Sequence, residues 1–138
     1  MIVLDASVAL KWIFSGEDGA ADALAIRDDH ISGKNEIAVP SLFFYEVANV
    51  LATKVRLPAP EAQAAFRLFW DFDFQVYDLE ADDFLEAVLI SHNHRISVYD
   101  ACYLVLALRL RCGMATADRK FRDSVSGYGM VELIGQRG

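Results

Sequence analysis

Four acidic residues of this 138-residue sequence sit where carboxylates can do more than solvate a surface: Asp5, Glu46, Asp100 and Asp118. Asp5 directly follows the apolar run Ile2-Val3-Leu4, and Asp118 follows Met114-Ala115-Thr116 after one alanine. Ligands of open α/β sheets lie beyond the carboxyl ends of the strands, which is where both acids fall. Each also precedes a helical pattern, so N-capping is the competing reading for either taken alone. Glu46 lies in the helical segment 41–53, with Leu42, Asn49 and Thr53 as its surface neighbours. Such a line is ordinarily a solvated stripe. Here apolar residues flank it closely on both sides, which points Glu46 into a cleft. Asp100 stands three residues after Ser97, the spacing of a capping box. Asp reaches back less well than the usual Glu or Gln, and it opens a helix so apolar that an unpartnered charge there would be costly. Capping and metal binding are compatible roles for it.

Carboxylates converging on one site repel each other and raise one another's pKa unless a cation is present. Mg²⁺ or Mn²⁺ answers that requirement, because hard cations take oxygen ligands and keep exchangeable waters. A metal so held activates water and neutralises charge developing on a phosphate. Ser7 and Thr116 read as hydroxyls that orient a carboxylate or a bound water. Other chemistries lack their residues. His92 and His94 flank Asn93 without HExxH or Cys/His spacing, so they read as surface residues rather than zinc ligands. There is no GxxxxGK[ST] or GxGxxG loop to cradle phosphate, and Ser7 lies in no GxSxG elbow.

The elements that must position these acids follow from the apolar pattern. Short strands are expected at Ile2–Leu4, Glu36–Val39, Phe74–Tyr77, Met114–Thr116 and Met130–Ile134. Helices are expected at Val8–Phe14, Ala20–Ile31, from the cap Ser41 to about Lys54, Glu61–Asp71, Ala81–Asn93, Ser97–Cys112 and Asp118–Ser124. Gly16 and Gly19 break the first two helices apart, the segment 57–60 reads as a turn, and Gly113 reads as the stop of the most apolar helix. Alternation of strand and helix implies right-handed crossovers and a parallel sheet covered on both faces. The expected architecture is therefore α/β in one domain spanning 1–138.

A 54 % hydrophobic composition supplies the core that so short a chain needs. The longest apolar run, Ala101–Leu108, is far short of the roughly 18 residues of a membrane span. The N-terminus carries no basic segment or cleavage site of a secretory signal. Cys102 and Cys112 fall in one helix about 15 Å apart, too far for a disulfide. A cytoplasmic protein is expected. A net charge of −7 argues at first against nucleic acid, which usually selects a basic footprint. The four acids account for more than half of that charge, and a cation they bind would bridge them to phosphate. The remainder suits a basic protein partner.

The segments carrying these acids resemble the PIN-domain family, and specifically the VapC toxins of bacterial type II toxin–antitoxin pairs. The resemblance runs through the opening 1–12, through Val39-Pro40 with Glu46-Val-Ala-Asn-Val-Leu, through 97–107 and through Thr116-Ala-Asp118-Arg-Lys-Phe. Each motif alone is weak, and four in order along the whole chain are specific. The resemblance implies a three-layer α/β/α sandwich with a mostly parallel five-stranded sheet. It implies Mg²⁺- or Mn²⁺-dependent endoribonuclease activity on structured RNA such as tRNA or rRNA, with Asp5, Glu46, Asp100 and Asp118 as metal-site acids and Thr116 in support. It further implies an antitoxin whose tail enters the active-site groove, and a homodimer to which the helix bearing Phe43, Phe44 and Val47 contributes surface. Lys11, Arg95, Arg119 and Lys120 are the bases it offers to RNA phosphates. Two other readings use the same residues. One is a metal-dependent phosphatase or DNA nuclease, although the DxDx of haloacid-dehalogenase phosphatases is broken here by Ala6-Ser7. The other is an interaction module that keeps the fold without catalysis.

Overall fold

The computed structural model describes residues 1–14, 16 and 18–135. Its centre is a five-stranded sheet in the order β3-β2-β1-β4-β5, with every neighbouring pair parallel. The strands are β1 (Ile2–Leu4), β2 (Ile37–Pro40), β3 (Gln75–Tyr77), β4 (Gly113–Thr116) and β5 (Val131–Leu133). β1 is the middle strand, paired to β2 on one side and β4 on the other. That position explains its sequence: a strand buried on both faces is apolar without alternation, and Ile2, Val3 and Leu4 are all buried. Edge strand β3, in contrast, leaves Val76 exposed.

The helices among the described residues are α1 (Ala6–Leu10), α2 (Ala20–Ile31), α3 (Leu42–Thr53), α4 (Ala59–Trp70), α5 (Ala81–His94), α6 (Val98–Leu110) and α7 (Arg119–Ser124). The chain steps from β1 to β2 to β3 in one direction, then returns past both to β4 and β5. Right-handed crossovers therefore put α1–α4 on one face and α5–α7 on the other. Contacts of α1 with α3, α3 with α4, and α5 with α6 fit that division. The α1–α4 side is sealed by aromatic rings: Trp12, Phe43, Phe69, Phe72 and Phe74 meet at centroid distances of 4.8–6.2 Å. On the other side α6 is buried from Ala101 through Ala107 and packs against β1, β2 and β4.

Several boundaries depart from the sequence expectation. α1 starts at Ala6 and ends at Leu10. Beyond it Lys11, Trp12 and Ile13 donate to carbonyls three residues back, a tighter turn than the expected helix to Phe14. α4 starts at Ala59 rather than Glu61, because Pro60 lies in the first turn, where a missing N–H costs nothing. Gly113 does not end α6. Arg111 does, in the left-handed region at φ 54°, and Gly113 opens β4. Ser41 occupies the cap position of α3 but its side chain makes no capping bond there. Cys102 and Cys112 are both free. No helix of the described residues is long and apolar enough to cross a membrane.

Candidate active site

Between β1 and β4 the chain's order along the sheet reverses, and the crevice at such a switch point is where open α/β sheets receive ligands. Asp5 leaves the carboxyl end of β1 and Asp118 follows the end of β4, so the two acids flank that crevice. Both cap the helices they precede. Asp5 accepts from the backbone of Ser7 at 3.1 Å and, more weakly, of Val8 at 3.4 Å. Asp118 accepts from Phe121 N at 3.0 Å. The capping reading is thus correct for each, and it does not use up Asp5.

Asp5 is 6 % exposed, and both its oxygens are held by hydroxyls. Ser7 Oγ donates to Oδ1, and the fully buried Thr116 Oγ1 donates to Oδ2 at 2.5 Å. Each hydroxyl also accepts from the loop that carries Asp118: Ser7 Oγ from Ala117 N at 3.0 Å, Thr116 Oγ1 from Asp118 N at 3.1 Å. Ser7 and Thr116 therefore fasten the end of β1 to the start of α7. Burial lifts the Asp5 carboxyl from 3.8 to about 6, against the two hydroxyls that lower it and with help from the Asp100 charge.

Asp100 comes in from α6. Its backbone N–H donates to Ser97 Oγ at 3.0 Å, which is the forward half of the expected capping box. The reciprocal pair is found on α5 instead, between Glu80 and Asp83. Burial raises the Asp100 carboxyl, the Asp118 charge raises it further, and Ser97 opposes both. Glu46 comes in from α3, half-buried, with Tyr103 Oη donating to its Oε1 at 2.6 Å. Burial raises Glu46 first, the Tyr103 hydroxyl lowers it, and the Asp100 charge raises it. Asp100 is thus the electrostatic centre, felt by Asp5 and Glu46 and feeling Asp118.

All the donors are carboxylate or hydroxyl oxygens, which suits a hard cation. Among the described residues no three His, Cys, Asp or Glu side chains stand close enough to form a ready-made cage. An open set of carboxylates around a charged centre fits Mg²⁺, which keeps several waters and is typically held by one or two carboxylates plus substrate phosphates.

A cleft of about 450 Å³ is lined partly by Tyr45, Phe84, Tyr99 and Cys102, and Tyr45 and Tyr99 are the chain neighbours of Glu46 and Asp100. A second, of about 270 Å³, is lined partly by Ser7, Lys11 and Ala117 and adjoins Asp5. Of the other expected phosphate-contacting bases, Arg95, Arg119 and Lys120 are exposed. His92 is exposed as expected. His94 is half-buried, its Nδ1 3.1 Å from Ser124 O, and so helps join α5 to α7. Phe43 and Val47 cannot supply a dimer surface, since both are fully buried in the chain's own core, and Phe44 packs in the aromatic cluster. The bond from Tyr103 to Glu46 was not expected. Its sequence signal is a tyrosine inside an otherwise apolar helix, because a buried phenol needs a partner.

The PIN-domain family model matches residues 2–124, and the chain belongs to the PIN-domain family. No curated protein matches it significantly in sequence. Solved structures similar to it include a toxin–antitoxin complex from Klebsiella pneumoniae, at 20 % identity and TM-score 0.68, covering 96 % of this chain and 97 % of that one. The Mycobacterium tuberculosis toxin VapC20, described as cleaving the sarcin–ricin loop, is similar at 18 % identity and TM-score 0.68, covering 97 % and 99 %. A Pyrobaculum aerophilum protein is similar at 20 % identity and TM-score 0.69, covering 96 % and 83 %. At these identities the likeness establishes the fold.

Proposed function

We propose that this chain is a divalent-metal-dependent endoribonuclease, the VapC-type toxin of a type II toxin–antitoxin pair. The observation that supports this reading is that Asp5 and Asp118 flank the sheet's switch point while Asp100 is charge-coupled to Asp5, Glu46 and Asp118, with three of the four carboxyls raised. Asp5, Glu46, Asp100 and Asp118 hold Mg²⁺ or Mn²⁺, which when bound supplies water activation and charge neutralisation at a phosphodiester. Thr116 and Ser7 keep Asp5 ionised and aimed, and they fix the Asp118 loop against it. Lys11, lining the cleft beside Ser7, together with Arg119 and Lys120 at the start of α7, receives flanking RNA phosphates.

The substrate is structured RNA of the tRNA or rRNA class, met in the cytoplasm. The similar toxin described as cleaving the sarcin–ricin loop and the family membership support that class. The antitoxin's tail occupies the cleft lined by Tyr45, Phe84 and Tyr99, whose apolar wall supports anchoring of an apolar segment. A homodimer is supported by α5, whose Phe84, Leu85, Val88 and Leu89 are 48–68 % exposed.

Expression without an antitoxin tests the reading. Wild type arrests growth, while Asp5→Asn, which keeps the shape and removes the charge, grows normally at equal protein level. Equal arrest by wild type and Asp5→Asn would show that the toxicity does not come from this site.

A further inference from the structure

Tyr103 is the largest fully buried side chain of the described residues, in the middle of the helix that also supplies Asp100. Residues three apart on a helix share a face, so the Tyr103 ring follows Asp100 toward the acids. Core packing would be served equally by phenylalanine. The hydroxyl is what needs explaining, because a buried O–H must find an acceptor or destabilise the fold. Its acceptor is no nearby backbone carbonyl. It is Glu46 Oε1, 2.6 Å away on a helix from the other side of the sheet. Glu46 has a long side chain, and fixing it costs rotamer entropy. With one oxygen held by Tyr103, the carboxylate keeps one orientation and its other oxygen stays available.

Resting on the metal reading above, we propose that Tyr103 is a positioning residue: its hydroxyl holds Glu46 in the orientation from which that carboxylate binds a divalent cation. The arrangement matches that of Asp5, whose two oxygens are likewise held by hydroxyls. Asp5 and Glu46 are thus each held by an O–H donor from another element, Thr116 of β4 and Tyr103 of α6. Such supporting bonds matter to metal sites because they fix ligand direction before the ion arrives.

Calorimetric Mn²⁺ titration of the purified full chain tests this, alongside melting in EDTA. Tyr103→Phe keeps the ring and removes the hydroxyl. It is expected to melt cooperatively in EDTA and to bind Mn²⁺ about 10- to 100-fold more weakly, the usual loss for a supporting contact. Leu104→Val is the packing control at a neighbouring, fully buried position. It should melt lower and bind Mn²⁺ as wild type does. In a Glu46→Gln background, Tyr103→Phe should weaken binding no further, since the group it aims is gone. Wild-type Mn²⁺ affinity in Tyr103→Phe, additive losses in the double variant, or loss of cooperative melting in Tyr103→Phe overturns the proposal, leaving the hydroxyl a purely structural role. If wild type itself binds no Mn²⁺, the metal reading fails and this proposal with it.

Discussion

Asp5 carries the clearest conflict between a residue's position and its charge. Its carboxyl, 3.8 in the unfolded chain, is lifted to about 6 by burial. The folded metal-free chain therefore holds this proton more tightly than the unfolded chain between those values. Stability from this group is present below about pH 4 and falls away as pH rises to about 6, by up to about 3 kcal/mol. Asp5→Asn removes that dependence. In EDTA its melting temperature should gain on wild type from about pH 4 to 6 and then level off, and a constant gap from pH 4 to 6 would show that the charge is not under strain. Glu46→Gln and Asp100→Asn relieve repulsion as well, so each should melt no lower than wild type in EDTA. Each should also lose much of the rise that millimolar Mn²⁺ gives wild type, because a ligand stabilises only through the site it binds. Lower melting in EDTA together with a full metal-induced rise would make these acids ordinary structural residues.

At the scale of elements, the hydroxyls that join β1 to the β4–α7 loop are the joint most exposed to a single substitution. Thr116→Val keeps the shape but leaves Asp5 Oδ2 without a donor and Asp118 N without an acceptor. Urea unfolding should show a loss of about 1–3 kcal/mol, and a loss of a few tenths would mean water replaces the hydroxyl. β1 and β4 were legible in the sequence because each is a short apolar run closed by an acid, and burial on both faces demands such runs. Their acids were legible for the same reason, since a charge ending a buried strand must be accommodated somehow. The Tyr103–Glu46 bond was not. Periodicity assigns a residue to a face, but it does not say which of two helices 57 positions apart will meet there. The same gap misassigned Phe43 and Val47. α3 is apolar enough for an interface, yet the sheet, α1 and α4 of its own chain cover it. Arg111 hid the end of α6 because Gly113 offered the more familiar stop signal.

At the scale of the molecule, α5 carries four exposed large apolar side chains on one helix, Phe84, Leu85, Val88 and Leu89. A second copy covering Leu85, Val88 and Leu89 would explain their exposure, and Leu85→Glu should then convert a dimer to a monomer in light scattering without changing the fold. A wild type that is already monomeric at the same concentration contradicts this. The net charge of −7 works against RNA binding, and cations that offset the acids around Asp100 would relieve it, so metal dependence is the hinge of the proposed reading. The direct measurement is cleavage of a structured tRNA or rRNA fragment by the purified chain across a Mn²⁺ titration, with excess EDTA and Asp100→Asn as controls. The account predicts cleavage that rises with Mn²⁺, stops in EDTA and is lost in Asp100→Asn. Cleavage that continues undiminished in excess EDTA, or in Asp100→Asn, would contradict it.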